Sequence, residues 1–198
     1  QDLARRIMDN PIWREDIINI KGIPRDVEYR LEVPLNGIPG GKKGDIDILL
    51  VRPHHPEHAT AIQIKRIKIN DNSFNNIAPN KLSGFNKGVR QANILESLGF
   101  AQVYLYIFVV IDSRSQNRGN FSFNGLTPEL HSQIDNIIST SSLCGRVGLV
   151  RFDFTQPMDN PPLTSGVVSG HLIRSATCAK QPEDLTAWIA KACKLSAT

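Results

Sequence analysis

Cysteine is scarce in this 198-residue chain, and internal repeats and long apolar runs are missing. The three cysteines, Cys144, Cys178 and Cys193, are an odd number without CxxC spacing. This argues against a disulfide framework and a zinc knuckle, and it favours a reducing, cytoplasmic location. The longest apolar run, residues 103–111, has the length of a strand. It is far shorter than the roughly 20 residues of a membrane-spanning helix.

The composition is that of an ordinary soluble globular protein, with 40% apolar and 21% charged residues. Lysine and arginine number 23 against 19 aspartate and glutamate residues, which gives a formal net charge of +4. A basic balance is compatible with nucleic-acid binding, although alone it discriminates weakly because many basic proteins bind none. The placement of the charges is therefore more informative than their number.

Hydrophobic periodicity and turn residues predict alternating helices and strands. We expect helices over residues 2–20 (broken at Asn10-Pro11), 81–99, 127–140 and 183–193, and strands over 28–35, 45–52, 60–69, 101–112, 146–154 and 166–174. This order predicts an α/β fold, a mixed β-sheet flanked by helices. A single domain over 1–198 is expected, with a core at about 28–112 and a C-terminal α/β extension at about 127–198.

Polar residues interrupt two predicted strands that otherwise look buried. Side chains alternate along a strand, so Asp45 and Asp47 share one face, and Gln63 and Lys65 share one face of the next strand. If the intervening loop is centred near residue 55, Asp47 lies opposite Gln63 and Asp45 opposite Lys65. The preceding hairpin then brings Glu32 opposite Asp47. The alternative is a solvated sheet face on which Asp45 and Lys65 form a cross-strand ion pair.

Carboxylates that are gathered in this way repel one another unless a cation lies between them. Mg²⁺ prefers oxygen ligands and typically takes one or two carboxylates together with substrate phosphates. We therefore expect a metal site in which Asp47, Glu32 and the Gln63 amide oxygen are ligands and Asp45 assists. Lys65 is then placed to position an attacking water.

The Gly44-Asp45-Ile46-Asp47 and Gln63-Ile64-Lys65-Arg66 segments resemble the PD-(D/E)xK nuclease superfamily, and more narrowly its QxK, Mrr-type restriction endonuclease-like branch. Asp47 stands 16 positions before Gln63 and is the preferred metal-binding aspartate, with Asp45 as the alternative. The resemblance covers about 28–112. It implies a restriction-endonuclease-like fold, Mg²⁺ dependence (with Mn²⁺ as an alternative) and hydrolysis of DNA phosphodiester bonds. For the further carboxylate that such proteins often carry, Glu32 is favoured over Glu15 and Asp16.

Basic and amide side chains follow the second motif. We expect DNA contacts from a set on the QxK strand and on the next helix, namely Arg66, Lys68, Lys87, Arg90 and Gln91. The alternative is a solvated helix face. The three histidines of "HHPEH" (54–58) are expected in a solvated loop at a hairpin tip, because neither cysteine nor a second histidine cluster accompanies them.

Two hypotheses follow. The first is a metal-dependent endonuclease that acts on DNA, such as the nuclease domain of a restriction or defence protein, working as a homodimer or within a larger complex. The second is a catalytically inactive nuclease-fold module that binds DNA or a protein partner, and Gln63 keeps it open because it replaces an acidic residue. No membrane partner is expected.

Overall fold

The computed structural model describes residues 2–19, 23, 26–38, 40–41, 44–69, 79–112, 128–156 and 167–194. The helices are α1 (Asp2–Asp9), α2 (Pro11–Ile18), α3 (Pro79–Ser97), α4 (Pro128–Ser139) and α5 (Glu183–Ala192). The strands are β1 (Glu28–Pro34), β2 (Asp45–Arg52), β3 (His55–Ile69), β4 (Gln102–Asp112), β5 (Gly148–Gln156) and β6 (Val167–Arg174). The predicted order of elements is confirmed. The predicted break between α1 and α2 is also present, where the Asn10 side chain accepts hydrogen bonds from the backbone N–H groups of Ile12 and Trp13.

The six strands form one mixed sheet in sequence order, β1-β2-β3-β4-β5-β6. The first three strands are antiparallel neighbours, β3, β4 and β5 are parallel, and β6 returns antiparallel to β5. Parallel neighbours need crossover connections, and α3 and α4 lie in the chain between the parallel strands. Since β5 and β6 continue the same sheet, the C-terminal part of the chain enlarges the sheet of the N-terminal part.

Both faces of the sheet are covered, and each has its own buried cluster. On the face that we call the α3 face, Val89 of α3, Ile134 of α4 and Ile189 of α5 pack with strand residues such as Ile107. On the opposite face, the α1 face, Ile7 and Ile17 pack with Ile62, Tyr104 and Tyr106. A strand buried on both faces must be apolar throughout, which explains the nearly unbroken apolar sequence of β4.

The side-chain alternation of β1 reverses at Glu32, whereas a regular strand would place Tyr29, Leu31 and Val33 on one face. Tyr29 and Leu31 pack on the α1 face, whereas Val33 packs on the α3 face. Glu32 has a left-handed backbone with φ of 52°, which is uncommon for a residue with a side chain and breaks the regular pleat. Ile46, paired with Val33, likewise belongs to the α3 face instead of sharing the face of Ile48.

The β2–β3 connection is shorter than predicted. Pro53 and His54 form a two-residue turn, and β3 begins at His55, so the histidines do not share a loop. His55 and His58 are exposed strand residues beside Glu57, with nitrogen–oxygen distances of 3.0 and 3.7 Å. In the described part of the chain, no helix has the length and apolarity needed to cross a membrane.

The buried side chain of Gln181 joins three distant parts of the chain. Its Nε2 donates to the Pro56 carbonyl at the start of β3 and to the Thr186 hydroxyl, at 2.9 Å each. Its Oε1 accepts from the Ala101 N–H, next to the start of β4, at 3.3 Å. Gln181 thereby fixes the segment before α5 against the N-terminal ends of β3 and β4.

Candidate functional site

The predicted strand registers, which place the polar residues next to one another, are present. Ile48 pairs with Ile62 and Leu49 with Ala61, the register that brings Asp47 level with Gln63. In the other hairpin, Leu31 pairs with Ile48 and Val33 with Ile46, so Glu32 lies level with Asp47. The described β2–β3 ladder ends at the Ile48–Ile62 pair. Beyond that pair, the described hydrogen bonds between the two strands involve the Asp47 side chain.

The Asp47 side chain accepts a backbone hydrogen bond from β3 at the point where β2 no longer supplies a backbone acceptor. Its Oδ2 accepts a hydrogen bond from the Ile64 backbone N–H at 2.6 Å and another from Nε2 of Gln63. A buried backbone N–H without an acceptor is costly, so the carboxylate stabilises the strand at the point where the ladder ends. Asp47 therefore has a structural role that the sequence pattern alone did not reveal.

Two buried amide oxygens, on Gln63 of β3 and Gln91 of α3, have no hydrogen-bond partner. Gln63 is 1% exposed, and its Oε1 is buried and unpaired while its nitrogen donates to Asp47. Oε1 of Gln91 on α3 is likewise buried and unpaired. Most buried polar atoms in folded proteins are paired, so unpaired acceptors indicate a place where a donor or a cation would be stabilised.

Lys65 crosses from β3 toward α3 through a gap that a glycine leaves. A Cβ atom added to Gly88 would lie 2.3 Å from Cγ of Lys65 and 2.9 Å from its Cε. Both distances are far below a van der Waals contact, so the lysine stem occupies the space that any other residue at position 88 would fill. We call this contact the Gly88 notch. It fixes the path of the Lys65 side chain beside the two aspartates.

Burial shifts the two central charged groups toward their neutral forms. It raises the pKa of Asp47, opposed by the Ile64 hydrogen bond and by the charge of Lys65. It lowers the pKa of Lys65, opposed by the attraction of Asp47 and Asp45 and reinforced by the like charge of Lys87. Perturbed titratable groups of opposite type close together are typical of functional sites, although ion-pair networks also produce them.

No family model matches this chain, and no curated protein sequence is recognisably similar to it. The arrangement of the side chains therefore carries the functional argument.

The predicted metal ligands are brought together only in part. Asp47 and Gln63 are in contact, and Asp45 is close enough to raise the pKa of Asp47. Glu32 lies level with Asp47, but no hydrogen bond or ion pair joins these two described residues. Glu15 and Asp16 are exposed on α2. In the described ranges, no group of three or more His, Cys, Asp or Glu side chains is arranged to hold a metal ion.

The predicted nucleic-acid contacts divide between the two faces of the sheet. Lys87 and Arg90 are exposed on α3, three residues apart and therefore neighbours, and Lys87 is close enough to influence Lys65. Gln91 lies on the same helix with its amide oxygen buried. Arg66 alternates with Lys65 and so shares the α1 face with Ile62 and Ile64. The side chain of Lys68 lies outside the described residues.

Sequence reasoning missed a second polar cluster, centred on Arg151 of β5. The Arg151 side chain is 5% exposed; its guanidinium bonds Asp135 at 2.9 Å and His131 at 3.0 Å, and its Nε lies 3.2 Å from Asp153. The other oxygen of Asp153 is 3.4 Å from His171 of β6, and burial raises the pKa of Asp153. The Arg-x-Asp alternation inside an apolar strand was the available signal, since it repeats the pattern of Asp45 and Asp47.

Proposed function

We propose that the chain is a metal-dependent endonuclease that hydrolyses DNA phosphodiester bonds, with a restriction-endonuclease-like fold. The observation that carries the proposal is the Asp47–Gln63 hydrogen bond at the point where β2 and β3 separate, with Lys65 close enough for its charge to interact with Asp47. A half-buried ammonium whose stem is fixed in the Gly88 notch, close to a carboxylate, is suited to orienting a water molecule or to stabilising charge that develops on a phosphate. A solvated surface ion pair would need neither the burial nor the notch.

The donor set fits Mg²⁺ or Mn²⁺. Asp47 would supply a carboxylate oxygen and Gln63 its amide oxygen after a half-turn of the amide, with Asp45 nearby. Mg²⁺ commonly takes only one or two protein carboxylates, so two neighbouring oxygen donors are sufficient when water and substrate phosphate complete its shell. When bound, the metal would supply Lewis-acid chemistry and lower the pKa of a bound water. Exposed Lys87 and Arg90 would hold the DNA backbone beside Lys65.

A nicking assay on supercoiled plasmid, with Mg²⁺ or Mn²⁺ and with a chelator, tests this proposal. The decisive variant is Lys65→Met, which keeps the apolar stem in the Gly88 notch and removes only the ammonium. We expect metal-dependent nicking by the wild type and its loss in Lys65→Met. Lys191→Met, at an exposed lysine on α5, is the matched control and should cut normally. Wild-type nicking speed in Lys65→Met contradicts the role of Lys65.

The inactive module remains the second candidate, and one contact favours it. The Gln63 nitrogen donates to Asp47, so this carboxylate is satisfied by the protein itself. An active site would need the amide oxygen to face the metal, which a half-turn of the Gln63 amide would achieve.

Gln63→Glu separates the two candidates. In an enzyme built around the amide, the wild type cuts, and the added charge tightens Mn²⁺ binding without needing to speed cleavage. In an inactive module, the wild type fails to cut with either metal, and Gln63→Glu restores nicking or only metal binding. Calorimetric titration with Mn²⁺, done beside the nicking assay, reports binding independently of cleavage. If neither protein cuts or binds metal, the metal-dependent nuclease interpretation fails.

A further inference from the structure

A pocket of about 700 Å³ opens between the C-terminal half of α4 and the edge strand β6, away from the candidate nuclease site. Pockets that hold small molecules commonly measure about 300–1,000 Å³ and combine apolar walls with a few fixed polar groups. Ile138, Leu149 and Ile173 provide apolar surface here, and Arg151, His171 and Arg174 provide polar groups. Ile173 is 44% exposed, so its surface is open to a ligand.

Arg174 is a fixed cation at this pocket. Its Nε donates to the Val147 carbonyl and its Nη2 to the Cys144 carbonyl, both at 2.9 Å. These acceptors are neutral, and no carboxylate pairs with Arg174 in the described part of the chain. The two bonds hold the guanidinium plane in place while its other N–H groups and its charge remain available. A cation that is held in advance loses little side-chain freedom when it binds an anion.

The Arg151 cluster places a histidine beside this cation. Buried Arg151 contacts two carboxylates, Asp135 and Asp153, and the His131 ring, so its single positive charge is already outnumbered within the protein. Asp153 in turn lies 3.4 Å from His171, which is 47% exposed and lines the pocket. The contact with Asp153 thereby orients the His171 ring and leaves its exposed side available to the pocket.

We propose that this pocket binds a nucleotide, with the phosphate on Arg174 and His171 and the base against Ile138, Leu149 and Ile173. The fixed, unbalanced cation selects an anion, and the apolar wall selects a ligand with a flat or apolar body. Inorganic phosphate alone would contact Arg174 but not the apolar wall. A nucleoside alone would contact the apolar wall but would give Arg174 no anion. The nucleotide is either free or part of a strand, since both present the same phosphate and base.

Ligand-detected NMR and calorimetry on the full chain test the proposal with AMP, adenosine and inorganic phosphate. We expect AMP to bind about tenfold or more tightly than either fragment, since each fragment lacks one half of the recognition. Arg174→Gln and His171→Gln should each weaken AMP binding severalfold. Arg146→Gln is the control, because Arg146 is exposed and pairs with Glu96 outside the pocket. Because the His171 side chain is half-exposed, His171→Gln should leave the fold intact. It therefore tests the pocket even if Arg174→Gln disturbs the fold.

A short single-stranded oligodeoxynucleotide distinguishes the two sources. Tighter binding than AMP, weakened by the same two variants, identifies a nucleotide of a strand, and equal or weaker binding identifies a free nucleotide. Both results support the pocket. The proposal is overturned if AMP at about 10 mM does not bind, if the fragments bind as well as AMP, or if Arg146→Gln weakens binding as much as the two pocket variants. None of these measurements depends on nuclease activity.

Discussion

Gly88→Ala probes the notch directly, because a single methyl group would collide with the Lys65 stem. An alanine in a helix interior is normally more stable than glycine by about 0.5–1 kcal/mol. The added Cβ at position 88 would lie 2.3 Å from Lys65 Cγ, so the lysine or α3 must shift. Overpacking of this kind costs about 1–3 kcal/mol. We therefore expect Gly88→Ala to lower the free energy of unfolding by up to about 2 kcal/mol.

Gly84→Ala is the matched control on the same helix, one turn earlier. A Cβ at position 84 would meet nothing within 4 Å, so this variant should gain the ordinary alanine stabilisation of about 0.5–1 kcal/mol. Urea unfolding followed by tryptophan fluorescence measures both. With a slope of about 2 kcal/mol per molar urea, the two midpoints should differ by roughly 0.25–1.5 M.

A double-mutant cycle shows whether Lys65 is the cause. Lys65→Ala removes the stem from the notch, so Gly88→Ala in that background should become neutral or stabilising, as Gly84→Ala is. If Gly88→Ala and Gly84→Ala shift the wild-type midpoint equally, Lys65 does not occupy the notch. If Gly88→Ala destabilises the protein equally with and without the Lys65 stem, another neighbour causes the collision.

Four further results are expected. Asp47→Ala should cost about 1–3 kcal/mol more than Asp47→Asn in urea unfolding, because only alanine leaves the Ile64 N–H without an acceptor. Burial raises the pKa of Asp47 in the folded state, so Asp47 loses its proton at a lower pH in the unfolded chain than in the folded chain. The free energy of unfolding of the wild type should therefore fall relative to that of Asp47→Asn as pH rises from about 3.8 through the folded pKa. The pKa of Lys65 is lowered instead, so the wild type should gain stability relative to Lys65→Met as pH approaches 10.5 from below. In DNA-binding titrations at several salt concentrations, Lys87→Ala should reduce the salt slope by about one, whereas Arg66→Ala on the opposite face should leave it unchanged.

The sequence predicted the element order and both hairpin registers. The order followed from periodicity and turn residues, which are local properties of the chain. The registers followed from the symmetry of the loops and were confirmed by the Leu31–Ile48 and Ile48–Ile62 pairs. The contact between Asp47 and Gln63 was predictable for this reason.

Other features of the candidate site were beyond the reach of a strand pattern. A left-handed backbone is expected at glycine, so nothing marked Glu32 as the residue at which β1 changes faces. The Gly88 notch joins a strand to a helix 23 positions further along the chain, and only the crossover geometry brings them together. The Arg151 cluster is assembled from α4, β5 and β6. Its partners are separate in sequence, although the alternation of Arg151 and Asp153 was visible.

The position of Gln181 has a consequence for folding during synthesis. Its partner Pro56 precedes it by 125 residues, and Ala101 precedes it by 80. At about 5–20 residues per second, a ribosome needs roughly 6–25 s to make the chain between Pro56 and Gln181. During that interval, the hairpins that carry Asp47 and Gln63 can form. The Pro56 carbonyl and the Ala101 N–H, at the ends of β3 and β4, still lack their hydrogen bonds to Gln181. The nascent sheet would therefore expose unpaired strand ends to chaperones or to neighbouring chains until the segment before α5 docks.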